Sequence, residues 1–540
     1  MITQALNNQS KTITGAALII AGATLLSRII GLVRDRIFAH YFGAGAIMDA
    51  YYAAFKIPDL IYNLLIVGAL TAGFIPVFTK LFQQHGEDKS LAWRMANNIF
   101  NIAGITLIIL GGLGVIFSQH FAPLIAPGFS EENKMLVITF TRIMFFSPIF
   151  LGLSMTLGGI LQSLRKFLLY SIAPIFYNVG IIIGAIVFVP IFGITGLAWG
   201  VVFGAAMHFA LQFYGAWQSG YRWKWIFDLR DKEMVLIAKL MAPRTLGLAI
   251  SQLNIVVVTV LASWLPLGSV AVYNYANNLQ GVPIGIIGIP FALAVFPVLS
   301  SAAAKNDMQE FAKNLSATIR QILFLIIPVS IAIMLLRAQI VRVVLGTGAF
   351  DWEATIHTAN ALAFFAFGLF AQSLIPLLAR AFYSLTDTQT PFIIGVISEL
   401  ISIIAALILM KPLGVAGLAL ACSIGATINA VILFIKLRQK IKIIEAEKIL
   451  SSLYRILAAA LVMGLVIQWL KYPLAKIFNL NYFLGIFGQG FVAGVMGLAI
   501  YGLICYLLKV PEFIHFKNSF EKRFLKSNNL PAEAMTDTKE

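Results

Sequence analysis

The residues able to do chemistry in this chain are charged side chains set inside long apolar runs. Arg28, Arg34, Asp35 and Arg36 lie in one run, and Asp49, Lys56 and Asp59 open the next. A charge at the centre of a bilayer costs about 2.5–3.5 kcal/mol on insertion scales, so such a group faces a cavity or a partner. Arg28 and Arg34 are six residues apart, too far for both to reach the same interface. Across the two runs the cations nearly cancel against the carboxylates. That balance suits Asp side chains that orient arginines and leave some of them free for an anion. Arginine fits phosphate because its planar fork donates two parallel hydrogen bonds. We therefore expect a polar, cationic cavity wall of Arg28, Arg34, Arg36 and Lys56, with Asp35, Asp49 and Asp59 as the orienting partners, as a candidate substrate site for an anion. The competing reading is local Arg–Asp pairing that only holds two helices together.

A second pair lies further along. Arg244 and Glu399 each sit about nine residues into a run that rises from the same side of the membrane. At 1.5 Å per residue both are about 13 Å deep. Equal depth permits an ion pair. The alternative is that Glu399 binds a cation or proton while Arg244 snorkels to the surface. Other residue types carry less. Cys422 and Cys505 both lie inside apolar runs, and two such residues build neither a disulfide framework nor a metal site. His208 reads as a packed core residue. The sequence has no phosphate-binding glycine loop, no metal-binding His/Glu cluster and no nucleophile elbow. An enzyme, a metal or cofactor site, and ATP-driven pumping by this chain alone are therefore not expected.

The elements that must hold these charges are membrane helices. Of 540 residues, 60% are hydrophobic and 11% charged, with a mean hydropathy of +0.89. Soluble domains carry about 25% charged residues, so a set of water-facing domains is excluded. A helix needs about 20 apolar residues to cross a bilayer. Continuous runs of this length exclude a β-barrel, whose strands alternate. Breaking the chain at its polar and Pro/Gly-marked loops yields fourteen runs, the first near 14–40 and the last near 485–508. With the N-terminus in the cytoplasm, 26 Lys and Arg fall on the cytoplasmic side and 6 on the other. That asymmetry sets the orientation and places both termini in the cytoplasm. The net charge of +16 then points to phosphate-bearing lipid rather than nucleic acid.

The chain also repeats itself. Phe74–Phe78 resembles Val295–Leu299, Pro127–Phe129 resembles Gly348–Phe350, and Gly193-x-x-Gly196-Leu197-Ala198 resembles Gly414-x-x-Gly417-Leu418-Ala419, all shifted by 221. A shift of six helices keeps both copies in the same orientation, a transporter signature with the substrate site between the halves. The expected organisation is an N-lobe (1–217, helices 1–6), a C-lobe (218–442, helices 7–12), two added helices (443–510) and a polar cytoplasmic tail (511–540). Pro58, Pro76, Pro283, Pro290 and Pro297 mark helices 2 and 8 as places where the lobes could bend.

Several motifs resemble a known family. They are Ser27-Arg28-Ile29-Ile30-Gly31-Leu32-Val33-Arg34-Asp35, Phe42-Gly43-Ala44-Gly45, Asp49-Ala50-Tyr51, Phe55-Lys56-Ile57-Pro58, Gly68-Ala69, Phe74-Ile75-Pro76, Ala126-Pro127-Gly128-Phe129 and Phe382-Tyr383-Ser384 followed by Thr390-Pro391. They resemble, in order, the MurJ/MviN lipid II flippases of the MOP exporter superfamily. The resemblance implies fourteen helices in two six-helix lobes that work by alternating access in the bacterial cytoplasmic membrane. It implies movement of undecaprenyl-pyrophosphate-linked peptidoglycan precursor to the outer leaflet, and cell-wall synthesis proteins as partners. Arg28, Arg34 and Asp49 match polar residues lining the family's central cavity, with Asp35 orienting Arg34. The family's cation site lies in the C-lobe near Glu399, which implies coupling to a monovalent cation or to the membrane potential. The chain departs from the family at Tyr62-Asn63 and Asn278, where members often carry basic residues, and at Val67, where they often carry an acid. Three alternatives follow: a flippase for another polyprenyl-linked saccharide, a cation-coupled multidrug-type antiporter, and a non-transporting scaffold in cell-wall synthesis.

Overall fold

The structure is a computed structural model that describes residues 13–64, 73–84, 89–443 and 445–514, with the side chains of 13–18, 84, 238 and 240–251 outside the description. Gly68-Ala69, Val67 and the tail beyond 514 likewise lie outside the described residues. The order of helices is α1 (Ile13–Phe42), α2 (Ala46–Ala54), α3 (Lys56–Tyr62), α4 (Ile75–Gln84), α5 (Ser90–Ile125), α6 (Glu131–Met144), α7 (Phe146–Ser163), α8 (Phe167–Ile183), α9 (Val189–Phe192), α10 (Gly196–Gln218), α11 (Lys232–Ser263), α12 (Ser269–Pro283), α13 (Ile289–Ala304), α14 (Met308–Val344), α15 (Trp352–Ser384), α16 (Gln389–Leu413), α17 (Val415–Lys440), α18 (Ala446–Ile477) and α19 (Phe483–Leu507). Among the described residues there is no strand.

Ten helical segments among the described residues are long and apolar enough to cross a bilayer. One of them, Phe167–Gln218, is 52 residues long, more than twice the length one crossing needs. It is an antiparallel hairpin. A Cβ on Gly180 would lie 2.2 Å from Gly204, and one on Gly184 would lie 2.4 Å from Gly200, so the partner residues run in opposite directions. The chain reverses at Gly193, whose φ of +63° favours glycine. The remaining crossings of the expected fourteen correspond to α1, the broken second run (α2, α3 and α4) and α11, which carry more charge or interruptions. The all-helical, polytopic membrane fold is thus as the composition demanded, and the ten segments, eleven crossings with the hairpin counted twice, plus these three are consistent with fourteen.

The 221-residue repeat has a conformational counterpart. Gly193 and Gly414 both have positive φ, and so do Arg165 and Thr386, at the same offset. The second hairpin closes like the first: Gly417 packs on Leu409 O, and Gly425 packs on Ser402. Water-side turns use acids and a serine as helix caps. Ser130, Asp231, Asp307, Asp351 and Asp387 each accept a backbone N–H from the first turn of the helix that follows.

Two compact units emerge from the packing. The first comprises residues 1–282, 344–365 and 392–425, the second residues 283–343, 366–391 and 426–540. In the first, an aromatic and aliphatic core around Phe74, Phe78, Met95, Phe100, Leu157 and Tyr221 ties α4, α5 and α7 together. In the second, α18 and α19 pack on each other through Gly497 and Ile467, and Tyr501 Oη donates to Phe324 O at 2.8 Å. Along α18, Leu450, Tyr454, Leu457, Leu461, Leu465 and Trp469 stay exposed at helical spacing. Such a row is the lipid-facing surface of a membrane helix rather than a failed core.

Candidate functional site

Within the first unit, one face of α1 looks at one face of α12. Residues 28, 31 and 35 fall at i, i+3 and i+7, as do 274, 277/278 and 281, so each set lines a single helical face. Between them, with Asn178 of α8 on the flank, lies a cavity of about 320 Å³. Gly31 and Gly281 leave the room that lets long side chains enter it.

Arg34 is almost fully committed. Its Nε and Nη2 both donate to Asp35 Oδ1, at 3.0 and 2.8 Å, and its Nη1 donates to Asn178 Oδ1 at 3.1 Å. Asp35 is buried, and its second oxygen accepts from Asn278 Nδ2 at 2.9 Å. Arg28 is different. Its Nη1 donates to Gly281 O at 2.9 Å, and its buried Nε has no hydrogen-bond partner. A buried guanidinium N–H without an acceptor is costly, so this is the group in the cavity that still calls for an anion. Asn277 adds an amide donor to the wall, since its Oδ1 is held by Gln280 Nε2 at 3.0 Å. Arg28 and Arg34 against Asp35 leave the cavity with one net positive charge.

The other expected site residues are placed elsewhere. Asp49 does not line the cavity. It is buried in the first turn of α2, where its carboxylate accepts from Gly268 N at 2.7 Å and Ala271 N at 2.8 Å. Those N–H groups open α12, and a carboxylate against a helix N-terminus meets unpaired donors and the positive end of the dipole. The same end carries further contacts: Tyr275 Oη donates to Gly43 O at 3.1 Å, Ala349 N to His40 O at 2.8 Å, and Gly128 N to Ser263 Oγ at 3.2 Å. Gly43, with φ of +64°, sits so close to Ala349 O that a Cβ would clash at 2.5 Å. Lys56 also stays out of the cavity wall, because Asn274 Oδ1 takes its Nζ at 3.2 Å.

In the C-terminal half of this unit, Glu399 accepts a short hydrogen bond from Asn254 Nδ2. Arg244's side chain lies outside the described residues. Asn254 is ten residues further along the same helix, about 15 Å along its axis. Counting residues from each helix start measures depth only if the starts are level and the tilts equal. α11 starts at Lys232, and the expected pairing of Arg244 with Glu399 falls on a side chain outside the described residues. Asn254 Oδ1 and the nearby Ser398 Oγ are buried without hydrogen-bond partners.

Sequence reasoning missed the asparagines. Asn178 holds Arg34, Asn254 holds Glu399, Asn274 holds Lys56, Asn277 adds to the cavity wall, and Asn278, noted only as a missing arginine, holds Asp35. Their signal was present: polar amides at helical spacing within apolar runs.

The geometry can be set beside known proteins. The sequence model of the family described as Lipid II flippase MurJ matches residues 38–488. The chain belongs to the MurJ family. A lipid II flippase MurJ from Burkholderia cenocepacia is 29% identical over 84% of this chain and 89% of its own length. A solved structure described as lipid II flippase MurJ in an inward closed conformation superposes with a TM-score of 0.74 at 26% identity, covering 90% of this chain and 98% of that one. An inward-facing multidrug resistance MATE transporter of the MOP superfamily superposes at 0.66 with 16% identity, over 80% of this chain and 99% of its own, a likeness of fold. The match to MurJ spans α1 from Phe38 onward, the α12 face and Glu399 alike.

Proposed function

We infer that the chain moves lipid II across the bilayer by alternating access, as a transporter and not an enzyme. The observation that carries this is the half-buried Arg28 guanidinium, whose buried Nε is unsatisfied, in a cationic cavity between α1 and α12. A pyrophosphate offers acceptors for that fork and for the Asn277 amide. A cavity of about 320 Å³ admits phosphate groups but not a whole glycopeptide.

The orientation set by the basic loops puts both termini in the cytoplasm and the Asp49 contacts at the outer face of the inner membrane. The lobes drawn from the repeat, 1–217 and 218–442, then meet at this face through Asp49 on α2 and the start of α12. Breaking that cap would open the cavity outward, and remaking it would return the cavity to the cytoplasm. Glu399, Asn254 and Ser398 together offer oxygens for a monovalent cation, and we assign them the coupling role.

The test is rescue of bacteria depleted of their own lipid II flippase, scored by lipid II in the outer leaflet. Rescue lost with Arg28→Ala is the expected result. Failure of the folded, inserted wild-type chain to rescue would move the substrate to another polyprenyl-linked saccharide.

A further inference from the structure

Residues 221–228, which leave α10 toward α11, form neither helix nor strand. The segment is strapped to α5 by three asparagines. Asn97 Nδ2 donates to Arg222 O at 3.1 Å, and its Oδ1 accepts from Lys224 N at 2.7 Å. Asn101 Nδ2 donates to Lys224 O and Ile226 O, both at 2.9 Å. Asn98 exchanges two bonds of 2.8 Å with the backbone of Asp228. Every strapped backbone group belongs to an even-numbered residue, the period of an extended chain.

From 223 onward the odd-numbered positions are large and apolar. Trp223, Trp225, Phe227 and Leu229 are 52%, 66%, 48% and 59% exposed. Trp223 lies edge-on, its Nε1 tied to Asn101 Oδ1 at 3.0 Å, and its ring meets Trp225 at 6.4 Å. Trp217 at the end of α10 is also exposed, with the Arg222 guanidinium 4.4 Å over its ring. A contiguous exposed patch of this kind marks an interaction surface.

Its level and charge identify the partner. The apolar run of α5 from Ile102 to Phe117 spans about 24 Å, most of a core of about 30 Å. Asn97, Asn98 and Asn101 lie just beyond its end, so the strap sits at the boundary of the hydrocarbon. There, backbone groups half-shielded from water need partners, and the asparagines supply them. Asp228 faces Arg94 at 3.7 Å and Asp231 caps α11, which leaves Arg222, Lys224 and Arg230 as the surplus charge. Tryptophan favours the headgroup level, and basic side chains favour anionic lipid there.

We propose that residues 222–230 are an interfacial anchor: Trp223, Trp225, Phe227 and Leu229 insert into the headgroup–acyl boundary, while Arg222, Lys224 and Arg230 hold anionic lipid phosphates. The strap thereby pins the connection between α10 and α11 to the bilayer surface. This reading is independent of the transported substrate.

The test uses the full-length chain carrying Cys422→Ser and Cys505→Ala, reconstituted in nanodiscs with and without phosphatidylglycerol. Nitroxides are placed through Trp225→Cys, Phe227→Cys, Leu229→Cys and, as a water-side control, Lys224→Cys. Collision with oxygen exceeding collision with a water-soluble nickel chelate at 225, 227 and 229, and the reverse at 224, is expected. Phosphatidylglycerol deepens the three labels, and Lys224→Gln with Arg230→Gln removes that deepening. In the native sequence, quenching of tryptophan by brominated lipid falls in Trp225→Phe, a check free of the cysteine background. Equal chelate access at all four positions overturns the anchor and indicates a protein partner for the stripe. Labels that are deep but indifferent to phosphatidylglycerol overturn the anionic-lipid contact.

Discussion

Replacing Asp49 by Asn is the sharpest probe of the outer closure proposed above. The substitution keeps the shape and one acceptor oxygen. It removes the charge and turns an amide donor toward one of two backbone N–H groups, those of Gly268 and Ala271. Loss of a charge–dipole contact in a buried setting is worth up to about 2 kcal/mol. Loss of one hydrogen bond to a charged acceptor adds about 1.5–3 kcal/mol. Only the state in which α2 meets the start of α12 contains these bonds, so the cost falls on that state alone. A cost of about 3 kcal/mol, within the range of these sums, moves the equilibrium roughly two orders of magnitude toward outward opening. Spin labels replacing Tyr41 and Leu267, both exposed, would read this as a population at longer distance in double electron–electron resonance. Transport would slow because return to the closed state becomes uphill. If Asp49→Asn leaves the distance distribution of the wild type, the cap does not close the outer side and the argument fails.

Three further outcomes follow from the same structure. Arg34→Lys should lose most transport, because a single ammonium cannot hold Asp35 and Asn178 together as the fork does, whereas the thermal midpoint should change little. In a double-mutant cycle scored by cation-dependent transport, Asn254→Ala and Glu399→Gln should be coupled by more than about 0.5 kcal/mol, and additive losses would refute a shared site. Outside the membrane, burial raises the Asp387 carboxyl, but bonds from Lys440 and from the Thr390 hydroxyl and N–H outweigh it and hold the group below its usual value. Its folded value is depressed, so its stabilisation is present above the unfolded aspartate value and lost as pH falls through the folded value. Asp387→Ala should therefore cost about 1 kcal/mol at neutral pH and less in acid, measured by thermal unfolding in detergent across pH.

Much was legible without coordinates, and particular residues show why. Membrane helices announce themselves because hydrocarbon offers no hydrogen bonds, so length and apolarity decide the element locally. The turns at Gly193 and Gly414 were visible as a repeated motif, since glycine takes positive φ at no steric cost. Arg28, Arg34 and Asp35 were found because charge inside an apolar run is conspicuous. The asparagines were overlooked because an amide costs less to bury and stands out less.

Composition and spacing by themselves determined that the chain is a duplicated bundle of membrane helices with an arginine-bearing first span, because each of those facts is settled within one helix or one repeat. Which charge stays free was decided only by tertiary structure. Asp35 and Asn178 consume Arg34, Gly281 leaves Arg28 half-satisfied, and the start of α12 draws Asp49 out of the site. Asn178, Gly268 and Gly281 lie some 140 to 250 residues from the side chains they meet, and a hydrogen bond depends on positions to within a fraction of an ångström, which only the packing of whole helices supplies.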